Sequence, residues 1–178
     1  MKDFRQSPAD ETRAVACDLE AVDADGSFSG YASRFGVVDL GRDLVLPGAF
    51  AESLARRGPR GIKLLFQHDP AEPIGVWLEL RVDAHGLFVR GRILPEVERG
   101  REVLALMRAG ALDGLSIGFR TVEGRTEPKS GVRRLSRVDL WEVSIVTFPM
   151  RPEARISAVK SDDARLASAI RRAAAAFQ

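Results

Sequence analysis

The stretch from Val138 to Phe148 limits the possible folds more than any other part of the chain. It is almost wholly apolar and is followed by a proline, which predicts one long, largely buried strand. Its polar members are Asp139, Glu142, Ser144 and Thr147. An ionised carboxylate is costly to bury without a partner, so the glutamate in the middle of this run needs a group that pairs with it.

Alternating apolar residues and turn motifs predict further strands before this one. Residues 13–20 and 27–35 have the pattern of one hairpin, and residues 74–82 and 87–93 have the pattern of a second. Residues 62–66 form a continuous apolar run, which is typical of a strand buried on both faces. These patterns together predict a mostly β fold.

Helical spacing predicts a short helix that begins at Pro47 and a longer one over residues 95–109. The polar residues 1–12 predict a disordered N-terminal arm, and residues 13–160 predict a single folded domain. Residues 161–178 predict a C-terminal amphipathic helix.

The composition argues against several classes of function. The net charge is +2, with 27 basic and 25 acidic residues, so no strong electrostatic field favours nucleic acid. With two histidines and a single cysteine, Cys17, the chain is expected to hold neither a metal nor another cofactor and to form no internal disulfide. No apolar run reaches the roughly 18 residues of a membrane-spanning helix. We therefore expect a cytoplasmic protein that binds neither nucleic acid nor membrane.

Ser116 is a candidate nucleophile. It lies between Leu115 and Ile117, and Gly114 and Gly118 on either side permit close approach of a peptide backbone. A serine hydroxyl attacks at neutral pH only when a base takes its proton, and histidine is the usual base. The alternative is that Ser116 is merely a small residue on a crowded strand.

His68 is the candidate base, because it follows the buried run 62–66 and precedes Pro70, which places it at the rim of the core. His85 lies in a turn and is expected to be solvated. Glu142 is the candidate partner that orients His68. Considered singly, His68 could also be a structural residue, and Glu142 could face solvent or pair with a nearby arginine. Those arginines are Arg133, Arg134 and Arg137.

Five ordered blocks of sequence resemble the prohead, or capsid maturation, proteases of tailed bacteriophages, which are related to the assemblin proteases of herpesviruses. By this resemblance, a prophage or a gene transfer agent, which is a phage-like particle encoded by bacteria, is an expected source of the chain. The blocks are residues 30–36, 43–50, 65–75, 114–119 and 142–147.

This resemblance implies a small antiparallel β-barrel of the assemblin type, flanked by helices. It implies a serine protease in which Ser116, His68 and Glu142 form the triad, and it makes Arg151 a candidate oxyanion donor by its distance along the chain. The expected substrate is a capsid or scaffold protein, and the chain itself, inside an immature prohead. A homodimer or an assembly-dependent oligomer is expected. The alternative function is a non-catalytic scaffold for capsid assembly.

Overall fold

Nine strands and two helices make up the computed structural model, which describes residues 11–15, 19–20 and 25–148. None of the helices in these ranges is long and apolar enough to cross a membrane. In chain order the elements are β1 (Glu11–Val15), β2 (Leu19–Glu20), β3 (Ser27–Arg34), β4 (Asp43–Val45), α1 (Ala51–Gly61), β5 (Lys63–Phe66), β6 (Asp69–Val82), β7 (Gly86–Ile93), α2 (Glu98–Arg108), β8 (Gly114–Thr126) and β9 (Arg133–Val146).

All nine strands belong to one sheet, in the order β1-β8-β9-β5-β6-β7-β3-β2, with β4 also alongside β9. The sheet curls, because β3 approaches both β8 and β1. A mostly β fold with flanking helices was predicted, and the structure confirms it. The antiparallel barrel is not confirmed, because the sheet formed by the described strands is open and mixed.

Two strands, β4 and β5, pair with β9 in parallel, and the helix α1 that connects them accounts for this direction. Strand β4 pairs with the beginning of β9, and β5 pairs with its end, both in parallel. Since α1 lies between β4 and β5 in the chain, these two strands follow one another along the same edge of β9. A helical crossover is the usual connection that returns a chain in the same direction.

The N-terminal strands differ from the predicted hairpin. β2 pairs with β3, but β1 pairs with β8 over the whole of its length. β1 begins at Glu11, inside the range expected to be a disordered arm. Residues 1–10, the predicted helix 161–178 and Cys17 lie outside the described residues.

The hydrophobic core lies against one face of the curled sheet. On β8 and β9, Leu115, Ile117, Val143 and Ile145 point into it. Burying a side chain of this size contributes about 1.5–3 kcal/mol. Because successive side chains of a strand point to opposite faces, the residues between these four lie together on the other face. The packing of the core therefore also fixes the direction of a second, more polar set of side chains on the opposite face of the sheet.

A buried carboxylate, Asp139, attaches α1 to β9. It is 5% exposed and accepts hydrogen bonds from Arg57 Nη2 at 3.0 Å and from Trp141 Nε1 at 2.8 Å, and Arg56 also pairs with it. Burial raises the pKa of Asp139, but the hydrogen bonds from Trp141 and Arg57 outweigh it, so the pKa lies below its usual value. The ionised form therefore stabilises the fold.

Replacing Asp139 by asparagine is expected to lower the free energy of unfolding at pH 7 by about 1–3 kcal/mol, because charged hydrogen bonds are lost. The lowered pKa means that this contribution is present above the unfolded pKa of about 3.9 and is lost as the pH falls through the folded value. Urea unfolding at pH 7 and at pH 3 measures both effects. Glu52→Gln, in the exposed pair with Arg137, is the control and should change little. Equal effects of the two substitutions would contradict this account.

Candidate active site

Polar residues of the neighbouring strands β8 and β9 lie side by side on the face opposite the core, because of the register in which these strands pair, and the end of β5 lies next to them. Ser116 on β8 lies opposite Ser144 on β9, and Gly118 lies opposite Glu142 two residues along. Strand β5 flanks β9 on its other side, with Leu65 opposite Ser144, and His68 follows the end of β5. Three segments that are distant in sequence therefore meet at one place.

His68 and Glu142 are in direct contact. The ring Nδ1 of His68 lies 2.6 Å from Oε1 of Glu142, and the two side chains are 20% and 13% exposed. An ionised carboxylate can only accept a hydrogen bond, so Nδ1 carries the proton and donates it. In the neutral imidazole the lone pair then lies on Nε2, which is the tautomer that a general base requires.

The backbone that presents His68 is strained. Gln67 and His68 have φ values of 53° and 62°, in the left-handed region that non-glycine residues rarely adopt. The N–H of Gln67 donates to the carbonyl of Ile145 at 3.0 Å, and its side-chain Nε2 donates to Thr147 Oγ1 at 2.5 Å. The end of β9 thus holds the turn in a conformation that aims the imidazole at Glu142.

Ser144 contacts both members of the pair. Its hydroxyl donates to Oε2 of Glu142 at 2.6 Å and accepts a hydrogen bond from the backbone N–H of His68 at 3.1 Å. Ser144 is completely buried. The sequence shows it only as a polar interruption of an apolar run, and its proximity to His68 depends on the pairing of β5 with β9.

Gly118 makes room for the carboxylate. A Cβ atom at this position would lie 2.0 Å from Oε1 of Glu142. The sequence suggested that the flanking glycines allow a peptide to approach, whereas the structure places the Glu142 side chain over Gly118. Only glycine provides this space without displacing the carboxylate.

Ser116 is close to this pair in register but is not bonded to it. Its side chain is 0% exposed, and its hydroxyl has no hydrogen-bond partner within the described ranges. The structure therefore brings His68 and Glu142 together and leaves Ser116 on the adjacent strand, facing the same side of the sheet. In serine hydrolases the hydrogen bond between nucleophile and base is often long or poorly aligned before substrate binds, so this geometry does not rule out Ser116 as the candidate nucleophile.

A cleft of about 380 Å³ opens beside the pair. His68, Glu142 and Gly118 form part of its wall, and Leu65, Phe119 and Trp141 add apolar surface. An apolar cleft with a few convergent polar groups is typical of a ligand site. The cleft therefore gives access to the His68–Glu142 pair, whereas Ser116 is not among the residues that line it.

The alternative partners proposed for Glu142 are occupied elsewhere. Arg133 pairs with Asp43, Arg134 with Glu127, and Arg137 with Glu52. His85 lies in an exposed turn, as expected.

Arg151, the candidate oxyanion donor, lies outside the described residues. Over the ranges that the structure describes, no group of three or more His, Cys, Asp or Glu side chains is arranged to hold a metal ion.

Comparisons with known proteins agree with the fold. Residues 15–168 match the family of Caudovirus prohead serine proteases. The prohead protease of Enterobacteria phage HK97 is 36% identical over 140 residues, which cover 78% of this chain and 62% of that protein. The prohead protease of Escherichia phage T5 is 28% identical over 98 residues, which cover 55% of this chain and 46% of that protein. The chain thus spans less than two thirds of either relative.

Among solved structures, the bacteriophage T4 capsid assembly protease has the same fold, with a TM-score of 0.60 at 16% identity. The match covers 78% of this chain and 96% of that one. Since the family match extends over most of the chain, the conclusion does not depend on this structural likeness. The chain belongs to the Caudovirus prohead serine protease family.

Proposed function

We propose that this chain is a serine endopeptidase that cleaves capsid or scaffold protein, and itself, during the maturation of a phage-type prohead. The observation that carries the proposal is the 2.6 Å contact between His68 Nδ1 and Glu142 Oε1 on the same face of the sheet as Ser116. Membership of the prohead protease family supports the choice of substrate. The site of action is then the interior of the immature prohead, in the cytoplasm.

In this mechanism Ser116 Oγ attacks the carbonyl carbon of the scissile peptide bond while Nε2 of His68 takes the hydroxyl proton. Glu142 holds the ring in the required tautomer and stabilises the imidazolium that forms. His68 then passes the proton to the leaving amine, and the C–N bond breaks to leave an acyl-enzyme. Water, deprotonated by His68, hydrolyses the ester and restores Ser116.

The oxyanion of the tetrahedral intermediate needs hydrogen-bond donors close to Ser116. Arg151 remains our candidate for one of them, because it follows Glu142 by a short stretch of chain. The reaction also requires the Ser116 hydroxyl to come within hydrogen-bond distance of Nε2, which is about 2.6–3.2 Å. We expect substrate binding in the cleft, or assembly into a dimer or larger oligomer, to bring the two together.

A non-catalytic assembly scaffold is the second candidate. The observation that favours it is the complete burial of Ser116, whose hydroxyl has no bond to His68. Such a protein would bind capsid subunits without cleaving them. The His68–Glu142 pair would then be a structural contact only.

Co-expression with a cognate capsid protein separates the two candidates. The protease produces a shortened capsid protein with one defined new N-terminus, which mass spectrometry of the purified product identifies. The scaffold leaves the capsid protein at full length although the two proteins co-purify. Full-length capsid protein in assembled, protease-containing particles would contradict the proposal.

Replacing Gly118 by alanine is expected to lower the cleavage rate roughly 10³–10⁴-fold, because the added Cβ displaces the Glu142 carboxylate from His68. The fold should survive, since the displaced atoms are the end of a flexible side chain. Gly124→Ala on the same strand is the control: its Cβ would lie 3.1 Å from Leu135 Cδ2, well away from the pair. Rates of capsid-protein cleavage and thermal unfolding of both variants test this. Normal activity of the Gly118 variant would remove Glu142 from the mechanism.

A further inference from the structure

Three hydrogen bonds connect His68, Glu142 and Ser144 in a closed ring. His68 Nδ1 donates to Oε1 of Glu142, Ser144 Oγ donates to Oε2 of the same carboxylate, and the His68 backbone N–H donates to Ser144 Oγ. The single hydroxyl is therefore bonded to both residues of the pair. Its donor and one of its acceptor positions are both used.

The first consequence concerns the carboxylate. Without Ser144, Oε2 of Glu142 would lie in a largely buried place with one hydrogen bond fewer, and the side chain could turn about its terminal bond. The bonds at both oxygens fix the plane of the carboxylate, and with it the direction from which Oε1 accepts the imidazole proton. Charge-assisted hydrogen bonds of this kind are short and strong.

The second consequence concerns the strained turn. His68 has a left-handed backbone with a φ of 62°, a conformation that is unfavourable for a non-glycine residue and persists only where surrounding contacts hold it. The bond from its own N–H to Ser144 Oγ is one of those contacts. The same hydroxyl thus holds the backbone of His68 and, through Glu142, its ring.

We propose that Ser144 is a positioning residue for the proposed reaction: it does not touch substrate, but it keeps the His68 ring aligned by holding Glu142 and the His68 backbone at once. This inference rests on the proposed function. The alignment of the His68 ring by Ser144 can nevertheless be measured without a cleavage assay.

The test compares Ser144→Thr with Ser144→Val. These side chains have nearly the same shape: both add one methyl group to the buried site, and valine has a second methyl group where threonine keeps the hydroxyl. With the threonine variant, the ring of hydrogen bonds persists. With the valine variant, kcat is expected to fall roughly 10²-fold relative to threonine, since small misplacements of a catalytic group have effects of this order. KM should be the same for both variants, because Ser144 is not one of the residues that line the cleft.

Ser53→Ala is the matched control for a purely structural role. Ser53 is also buried, and it bonds to β9 by donating to the carbonyl of Leu140 at 3.3 Å and accepting from its N–H at 2.8 Å. Its loss removes a comparable number of hydrogen bonds from the same strand. This variant should be less stable but should keep its kcat.

Proton NMR provides the readout that is independent of activity. The chain has two histidines, so a His85→Gln background leaves His68 as the sole source of imidazole signals. A proton shared between Nδ1 and a carboxylate resonates far downfield, and this signal should be present in the parent and threonine proteins and absent or broadened in the valine protein. A further outcome is that the downfield signal depends on the hydroxyl at position 144 while neither the parent protein nor any variant cleaves the capsid protein. In that case the proposed function fails and the positioning role of Ser144 stands. An unchanged signal and an unchanged kcat in Ser144→Val would overturn the inference.

Discussion

Ser116→Ala is expected to lower the rate of capsid-protein cleavage on the order of 10⁶-fold, because the hydroxyl that we propose as the nucleophile is gone. The same substitution should leave the free energy of unfolding unchanged or raise it by about 1 kcal/mol. The reason is that the Ser116 hydroxyl is fully buried and has no partner in the described part of the chain, so its burial opposes folding. Loss of activity with no loss of stability is thus the signature of this residue.

Cleavage rates and urea unfolding of the purified variant measure the two effects. Ser33→Ala on β3 is the matched control, since Ser33 is the other buried serine whose hydroxyl lacks a partner among the described residues. It should show the same small change in stability with full activity. A Ser116→Ala protein that still processes its capsid protein would contradict the assignment.

His68→Asn should lower the rate by a similar factor, on the order of 10⁶, because no other group in the pair can take the serine proton. Asparagine is chosen because it tolerates the left-handed backbone at this position, where φ is 62°. The turn after β5 should therefore keep its shape, and any loss of activity reports the missing imidazole. Glu142→Gln should have a smaller effect, of about 10⁴-fold, since the ring loses its orientation but remains present.

Initial rates on a peptide that spans the cleavage site, with circular dichroism as a check on folding, test this pair of variants. His85→Asn is the control, because His85 lies in an exposed turn. It should be fully active. An active His68→Asn protein, or a Glu142→Gln protein less active than His68→Asn, would contradict the roles assigned to these residues.

Local sequence patterns predicted the strands well and their partners poorly. The alternating residues of β6 and β7 and the turn between them identify a hairpin, since both strands and the turn are contiguous. The pairing of β1 with β8, and the parallel pairing of β4 and β5 with β9, join segments far apart in the chain. Periodicity indicates which side chains are buried but does not indicate against which strand, so the open, mixed sheet could not be predicted from it.

Part of the candidate site was visible in the sequence as polar residues at apolar runs. His68 was singled out because it follows such a run and Glu142 because it interrupts one, and the structure places the two side chains in contact. The roles of Ser144 and Gly118 depend on strand register, and neither small residue stands out in the sequence. The left-handed turn at His68 has no sequence signature either, because it contains no glycine.

Labelling with a fluorophosphonate tests the central claim, that Ser116 is the activated nucleophile, most directly. Mass spectrometry of a proteolytic digest should find one adduct, on the peptide that contains Ser116, and the adduct should be absent from Ser116→Ala and strongly reduced in His68→Asn. A protein that cleaves its capsid substrate while the label lies on a different serine, or persists in Ser116→Ala, would contradict the account.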